Sequence, residues 1–130
     1  MPLAPDLDAE FLVTCLCAQW CGSCREYQPA FEALAGGRPN VAYAWVDVED
    51  EPEIAGDVDV DNFPTLVIQR GGDVLFCGPM IPEVRALERV LASFLEQSSD
   101  ESRGYAHGNP ERRSWQAVAD LRARLREAQG

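Results

Sequence analysis

The alternation of a buried strand, an amphipathic helix and a second strand near the start of the chain constrains the fold more than any other feature. The first strand is an apolar run over 10–17 that contains β-branched residues. Apolar residues at helical spacing then predict a helix over 21–35, ended by Gly36-Gly37, and a second strand follows at 41–46. Because a crossover helix joins parallel strands, this β-α-β start predicts a sheet that is covered by helices.

The following segments continue the same pattern. The acidic stretch 47–53 leads into a short helix, and strands over 65–69 and 74–77 form a hairpin around two glycines. Another helix opens at Pro82-Glu83, where proline is tolerated in the first turn. The order β-α-β-α-β-β-α predicts an α/β fold with a mixed central sheet of about four strands flanked by helices.

Net charge limits the partners that the chain can bind. Its 130 residues hold 22 acidic residues against 11 basic ones, all Arg, which gives a formal net charge of -11. Nucleic acids and anionic membranes are approached through basic surfaces. We therefore expect neither of them as a partner, and acidic side chains favour neutral or basic protein partners.

Composition changes after the last of these helices and predicts a boundary there. Residues 97–109 are polar, with Ser and Gly and almost no apolar anchor, which is typical of a linker. An amphipathic helix is predicted over 110–130, with Asn109 as its N-cap and Pro110 in its first position. The expected organisation is a domain over 1–96, the linker, and this C-terminal helix.

The C-terminal helix has one apolar face. This face carries Trp115, Val118, Leu121 and Leu125. Packing on its own domain is the favoured interpretation. Contact with a partner or with a second copy of the chain through 110–128, and fraying in solution, are the alternatives.

The cysteine count and the N-terminal sequence predict a cytoplasmic protein. The chain begins without the basic region of a targeting signal. Its longest uncharged run, Phe11 to Cys24, is too short to cross a bilayer as a helix, which needs roughly 20 residues. Five Cys, an odd number, fit poorly with a secreted disulfide framework.

Two cysteines carry the strongest chemical signal. Cys21 and Cys24 lie where the first strand ends and the first helix begins, and their spacing puts the sulfurs about one helical turn apart. The helix N-terminus favours the thiolate form of Cys21, which makes it the attacking group. Cys24 would then be the resolving thiol, attacking the mixed disulfide between Cys21 and a substrate sulfur.

The residues around this pair, together with three later segments, resemble the thioredoxin family over roughly 10 to 96. The matching segments are Ala18-Gln19-Trp20-Cys21-Gly22-Ser23-Cys24, Val46-Asp47-Val48-Glu49 with Pro52, Asn62-Phe63-Pro64-Thr65, and the glycines Gly71, Gly72 and Gly78. Several spaced matches in the same order are more specific than the cysteine spacing alone.

The resemblance implies a thioredoxin fold with disulfide exchange as the activity. It also implies a cis peptide between Phe63 and Pro64 that faces the two sulfurs, and a substrate-binding surface made of Trp20, Phe63, Pro64 and Gly78. The implied partners are disulfide-containing proteins and an electron donor, either a thioredoxin reductase or the glutathione system. Neither a cofactor nor a metal is implied.

The chain departs from the family pattern at its start and below the cysteine pair. The lead before Trp20 is short, so the family's first strand is expected to be missing. Cys15 aligns with the family's buried Asp, the proton acceptor in the resolving step, and Trp45 aligns with the Lys that often pairs with it. Without that base, Cys24 depends on water or Glu26, and we expect resolution to be slow at neutral pH.

The remaining cysteines have an inert and a reactive interpretation. Strand alternation places Cys15 and Cys17 on one face, where small apolar fillers are favoured and an auxiliary redox role is the alternative. The clustered cysteines could also hold zinc or an iron–sulfur cluster, but strand geometry would aim some of them into the core. For Cys77, beside Gly78, packing is favoured over an accessible thiol that glutathione modifies.

These features predict a protein-disulfide reductase with Cys21 as nucleophile and Cys24 as resolving thiol. The alternative is non-catalytic: a thioredoxin-fold binding or assembly module that holds a client protein through the same groove and the C-terminal helix. Turnover of a disulfide substrate distinguishes the two.

Overall fold

A four-stranded sheet lies at the centre of the computed structural model, which describes residues 5–58 and 60–129. The strands are β1 (Phe11–Cys17), β2 (Val41–Asp47), β3 (Thr65–Arg70) and β4 (Asp73–Pro79), and their order across the sheet is β2-β1-β3-β4. Strands β1 and β2 are parallel, and the other two neighbouring pairs are antiparallel. The predicted mixed sheet of about four strands is therefore confirmed.

Strand β1 lies in the interior of the sheet and is buried along its whole length. Its side chains divide between two hydrophobic clusters on opposite faces of the sheet. Those of Phe11, Val13, Cys15 and Cys17 join one cluster, and those of Leu12 and Leu16 join the other. Because both faces are covered, the strand appears in the sequence as an almost continuous apolar run.

Helices cover both faces of the sheet. On the face that includes Cys17, α1 (Gly22–Glu32) and α3 (Val84–Leu95) supply the buried side chains. On the opposite face, the short helix α2 (Pro52–Ala55) packs with α6 (Leu121–Gln129). Helix α3 begins two residues after Pro82, so this proline precedes the helix and does not lie in its first turn.

The segment after α3 is helical, which corrects the interpretation of 97–109 as a linker. Helix α4 (Ser99–Ala106) begins with a capping box: the Ser98 hydroxyl accepts from the Glu101 amide, and the Glu101 carboxylate accepts from the Ser98 amide. Only Ser102 and Ala106 of this helix are buried. With so few apolar residues, its hydrophobic periodicity is too weak to be detected in the sequence.

The helix predicted over 110–130 is two helices, α5 (Pro110–Val118) and α6, which are separated at Ala119 and Asp120. Asn109 caps α5 as expected, its side chain accepting from the Arg112 amide at 2.8 Å. The segment packs on its own domain, the favoured interpretation. Trp115 lies against Phe76 of β4, and Leu121 and Leu125 join the core on the α2 face. Residue 130 of the predicted helix lies outside the described residues.

A buried arginine ties α6 to the sheet. The Arg122 side chain, 5% exposed, donates hydrogen bonds of 2.6 to 3.2 Å to the carbonyl oxygens of Leu7, Ala9, Glu10 and Gly71. Gln69, buried on β3, accepts from the Arg122 amide and donates to the Asp120 carboxylate. These bonds give partners to backbone carbonyl oxygens and to the Gln69 side chain, which packing of α6 against the sheet would otherwise leave without hydrogen bonds.

We predict that Arg122→Met lowers the free energy of unfolding by about 2–4 kcal/mol, because it removes four hydrogen bonds and takes from the carbonyl oxygens of Ala9 and Gly71 the donor that Arg122 supplies. Arg85→Met, on the exposed side of α3, is the matched control and should change that free energy by no more than about 0.5 kcal/mol. Urea unfolding with an unchanged m value measures the difference. Equal stability of the two variants would contradict the role assigned to Arg122.

Candidate active site

Cys21 and Cys24 lie at the junction between β1 and α1, where the sequence placed them. Cys21 is the N-cap of α1 and has extended backbone; its amide donates to the Ala18 carbonyl at 3.0 Å, and its carbonyl accepts from the Arg25 amide at 3.1 Å. Cys21 is half-buried, whereas Cys24, in the first turn of the helix, is 1% exposed. The two thiols therefore differ in access to solvent, with Cys21 on the outside.

Cys24 is bonded to Cys17 and not to Cys21. The Cα atoms of the bonded pair are 5.8 Å apart, within the ordinary range for disulfides. Cys21 is a free thiol, as are Cys15 and Cys77. The pairing follows from position, because Cys17 ends β1 on the face that α1 covers and Cys24 lies on the buried side of α1. Cys17 thus differs from the inert filler that strand alternation favoured.

Cys15 lies next to the Cys17–Cys24 disulfide, in the core. Its Sγ lies 3.7 Å from the Sγ of Cys17, and its side chain is fully buried. Burial raises the pKa of the Cys15 thiol far above its ordinary value, so it stays protonated at neutral pH. Cys15 pairs in register with Trp45 on β2, so the two residues that the resemblance aligns with the family's Asp and Lys lie side by side.

A loop between α2 and β3 contacts Trp20, the residue before Cys21. The peptide bond between Phe63 and Pro64 is cis, as the resemblance implied. Trp20 is 62% exposed; its ring meets that of Phe63 edge to face, with the centroids 5.6 Å apart, and its indole N–H donates to the Glu49 carboxylate at 2.7 Å. Cys21 and Phe63 pack against the same core cluster. The hydrogen bond from Trp20 to Glu49 was not predicted, although Glu49 belongs to one of the matching segments.

Gly78 lies at the end of β4, close to this loop. It pairs in register with Leu66, and the Pro64 carbonyl accepts from the Met80 amide at 3.1 Å. A Cβ added at Gly78 would meet its nearest side-chain atom, in Phe76, at 3.8 Å, an ordinary contact. The chain's own packing therefore does not require glycine at this position. Met80, which sequence analysis missed, joins Phe63 and Cys21 on the core cluster.

A cleft of about 200 Å³ reaches Cys24 from the side of β2. Trp45, Asp47 and Asp50 are among the residues that line it. The Asp47 carboxylate accepts from the amides of Gln19, Glu49 and Asp50 at 2.9 to 3.2 Å, which fixes the turn that leads into α1. The cleft gives solvent a route to the otherwise buried Cys24.

Glu26 does not fit the expectation that it serves Cys24 as a base. It is exposed and lies two residues after Cys24 in α1. Residues at that spacing point to different sides of a helix, and Cys24 points inward. Of the two bases considered from the sequence, water in the cleft is the one compatible with the geometry.

The other candidate sites in the sequence have little support from the structure. Cys77 packs on the face opposite to Cys21, and burial raises its pKa to about 11. Across residues 5–58 and 60–129, no group of three or more His, Cys, Asp and Glu side chains is arranged to hold a metal ion. Within the same ranges, no helix is long and apolar enough to cross a membrane.

A cysteine-centred redox site at a strand–helix junction, beside a cis-proline loop, is the class of site that this geometry defines. The family model described as Thioredoxin matches residues 6–93. "Putative thioredoxin 2" of Streptomyces coelicolor is 34% identical over 97 residues, which are 74% of this chain and 72% of that protein. Thioredoxin of Chlamydia trachomatis is 38% identical over 55 residues, covering 42% of this chain and 54% of that protein.

Solved structures agree with these matches. The chain resembles the X-ray structure of Fasciola hepatica thioredoxin with a TM-score of 0.60 and 31% identity, covering 67% of this chain and 83% of that one. It resembles oxidized mitochondrial thioredoxin 3 from Saccharomyces cerevisiae with a TM-score of 0.59 and 29% identity, covering 66% of this chain and 80% of that one. The chain belongs to the thioredoxin family, and its activity is that of a thiol–disulfide oxidoreductase.

We predict that the free thiols of the oxidised protein react with iodoacetamide in the order Cys21, Cys77, Cys15. Cys21 is partly exposed at the helix end, whereas burial keeps the other two largely as thiols at neutral pH. The labelling rate of Cys77 should rise with pH until about 11, where its thiolate becomes the main form. Peptide-resolved mass spectrometry measures each rate. Labelling of Cys77 as fast as Cys21 at neutral pH would contradict this assignment.

Proposed function

We propose that the protein reduces disulfide bonds of other proteins, with Cys21 as the nucleophile. The observation that carries the proposal is the position of Cys21, a partly exposed free thiol at the N-terminus of α1 beside the loop at Phe63 and Pro64. Unpaired N–H groups at a helix N-terminus stabilise a thiolate, the reactive form of cysteine. The Cys21 thiolate attacks one substrate sulfur, a mixed disulfide forms, and the other substrate sulfur leaves as a thiolate.

Cys24 completes the reduction in this proposal. Its thiolate attacks Cys21 Sγ in the mixed disulfide, which releases the second substrate sulfur and leaves Cys21 bonded to Cys24. Cys24 is buried and has Cys15 and Trp45 where the family has its charged pair, so its proton leaves through the cleft to water. This arrangement supports slow resolution at neutral pH, because a thiol stands at the family's acid position and the Asp47 carboxylate in the cleft is already bound by three backbone amides.

The substrate is expected to bind as an extended segment along the cis-proline loop. Within the described part of the chain, neither the amide nor the carbonyl of Phe63 has a hydrogen-bond partner, which leaves both groups free for a substrate backbone. Trp20 and Phe63 offer an apolar surface, and Gly78 leaves space at the neighbouring strand end. We assign substrate binding to Trp20, Phe63, Pro64 and Gly78.

Charge around this surface favours particular substrates. Asp61 is exposed just before Phe63, and Glu49 and Asp50 lie on the side of Trp20. Carboxylates at the rim of an interface repel acidic partners and speed association with basic ones. Neutral or basic segments around the disulfide are therefore the preferred substrates.

The oxidised protein needs an electron donor to return to the dithiol state. We propose a thioredoxin reductase or the glutathione system for this step, in the cytoplasm. Three free thiols in the chain support a reducing compartment, where thiols persist. Electron transport and cell redox homeostasis are the processes to which such a cycle belongs.

Reductant-coupled reduction of insulin tests this function. We predict turnover by the wild-type chain, loss of nearly all turnover in Cys21→Ser because the attacking sulfur is gone, and a strong decrease in Cys24→Ser because the mixed disulfide is not resolved. Cys77→Ser is the matched control and should keep wild-type turnover, because Cys77 packs on the opposite face.

Two outcomes would contradict the proposal. Turnover that survives Cys21→Ser would exclude Cys21 as the nucleophile. Stable capture of a protein client without any turnover, unaffected by Cys21→Ser, would instead favour the non-catalytic binding module.

A further inference from the structure

We propose that Cys17 is a second exchange partner for Cys24, so that the disulfide formed during substrate reduction moves inward and Cys21 is released as a thiol. The inference rests on the proposed function, because it starts from the Cys21–Cys24 disulfide that the reduction leaves. It adds a cysteine that the two-cysteine scheme does not use.

The positions of the sulfur-bearing residues carry this proposal. Cys24 lies one helical turn after Cys21 and is bonded to Cys17 at the end of β1. Cys24 is therefore the residue that both possible partners share. Cys17 and Cys24 are each 1% exposed, whereas Cys21 is partly exposed. The Cys24 sulfur can thus pair either with Cys21 at the surface or with Cys17 in the core.

The proposed step is an internal thiol–disulfide exchange. The Cys17 thiolate attacks Cys24 Sγ, the bond between Cys21 and Cys24 breaks, and Cys21 leaves as a thiolate while the bond between Cys17 and Cys24 forms. Cys17 loses one proton and the Cys21 thiolate can take up one, so the step needs no added oxidant or reductant. The helix N-terminus favours Cys21 as the leaving group because it stabilises the departing thiolate.

Cys15 does not replace Cys17 in this step. Its Sγ is 3.7 Å from the Cys17 sulfur, but it remains a free thiol. Cys17, and not Cys15, is the residue on β1 whose sulfur bonds to Cys24, with the two Cα atoms 5.8 Å apart. Cys15 therefore provides a matched control, since it is a buried thiol on the same strand and the same face as Cys17.

The exchange has a consequence for the oxidised protein. With the disulfide between Cys17 and Cys24, no sulfur of the bond is open to a macromolecular reductant, while Cys21 remains a thiol. Re-reduction must then begin with attack by Cys21 on Cys24, which brings the disulfide back to the helix end. Cys17 thereby holds the oxidised form in a protected state and makes its re-reduction depend on Cys21.

Disulfide mapping of the full chain tests the inference. The reduced protein is mixed with oxidised insulin, quenched with acid at successive times, and labelled in denaturant with a first maleimide that marks every free thiol. Reduction and a second maleimide then mark the cysteines that were bonded, and peptide fragmentation locates both labels. We expect the second label on Cys21 and Cys24 at early times and on Cys17 and Cys24 at late times.

Matched variants sharpen the result. In Cys17→Ala the second label should stay on Cys21 and Cys24 at all times. In the late sample, Cys21 should therefore be nearly fully bonded in this variant, whereas it should be nearly fully free in the wild type. In Cys15→Ala the wild-type sequence of labels should persist. The wild-type time course needs no substitution, so it stays decisive if Cys17→Ala does not fold.

Three outcomes would overturn the inference. In the first, the late wild-type sample carries the second label only on Cys21 and Cys24. In the second, Cys15→Ala abolishes the move of the label from Cys21 to Cys17, as Cys17→Ala does. Alternatively, Cys21→Ser would form the Cys17–Cys24 bond from insulin as fast as the wild type, without Cys21 as intermediary. Failure of the proposed function is distinguishable, because it appears as insulin turnover that survives Cys21→Ser, whatever the late pairing is.

Discussion

The burial of β1 on both faces is the constraint on which both the fold and the site depend. Because β1 is hydrogen-bonded to β2 and β3 and covered by helices, the position of its last residue, Cys17, is fixed. Cys17 pairs in register with Asp47, whose carboxylate also binds the Gln19 amide in the turn that follows β1. The start of α1 is thereby held over the end of β1, and Cys24 meets Cys17.

The cysteines of the site differ in their exposure to solvent and in their position relative to α1. Cys21 has a helix N-terminus and partial access to solvent, whereas Cys17 and Cys24 are buried and Cys15 is held protonated by burial. Trp45, which the resemblance aligns with the family's Lys, lies beside Cys15, and its ring meets that of Phe31 edge to face. The chain thus avoids an unpaired charge below the helix, at the cost of a direct proton acceptor for Cys24.

Local sequence pattern was sufficient for the strands, the helices before α4, and the junction that carries Cys21. The cis peptide before Pro64 came only from the family resemblance, since backbone preference favours trans. The partner of Cys24 was missed because it depends on side-chain direction at the end of β1. The break before α6 was missed for a similar reason, because Asp120 is held by Gln69, a residue 51 positions away. Such long-range contacts leave no periodic signal in the sequence.

Trapping of the mixed disulfide tests the central claim most directly, that reduction begins at Cys21. A disulfide-bonded peptide is mixed with Cys24→Ser or with wild type, quenched with acid, and the adduct is located by mass spectrometry. The account predicts that the adduct lies on Cys21, accumulates in Cys24→Ser, and decays in wild type at a rate that rises with pH above neutral. An adduct on Cys15 or Cys77, or fast decay in wild type that does not change with pH, would contradict it.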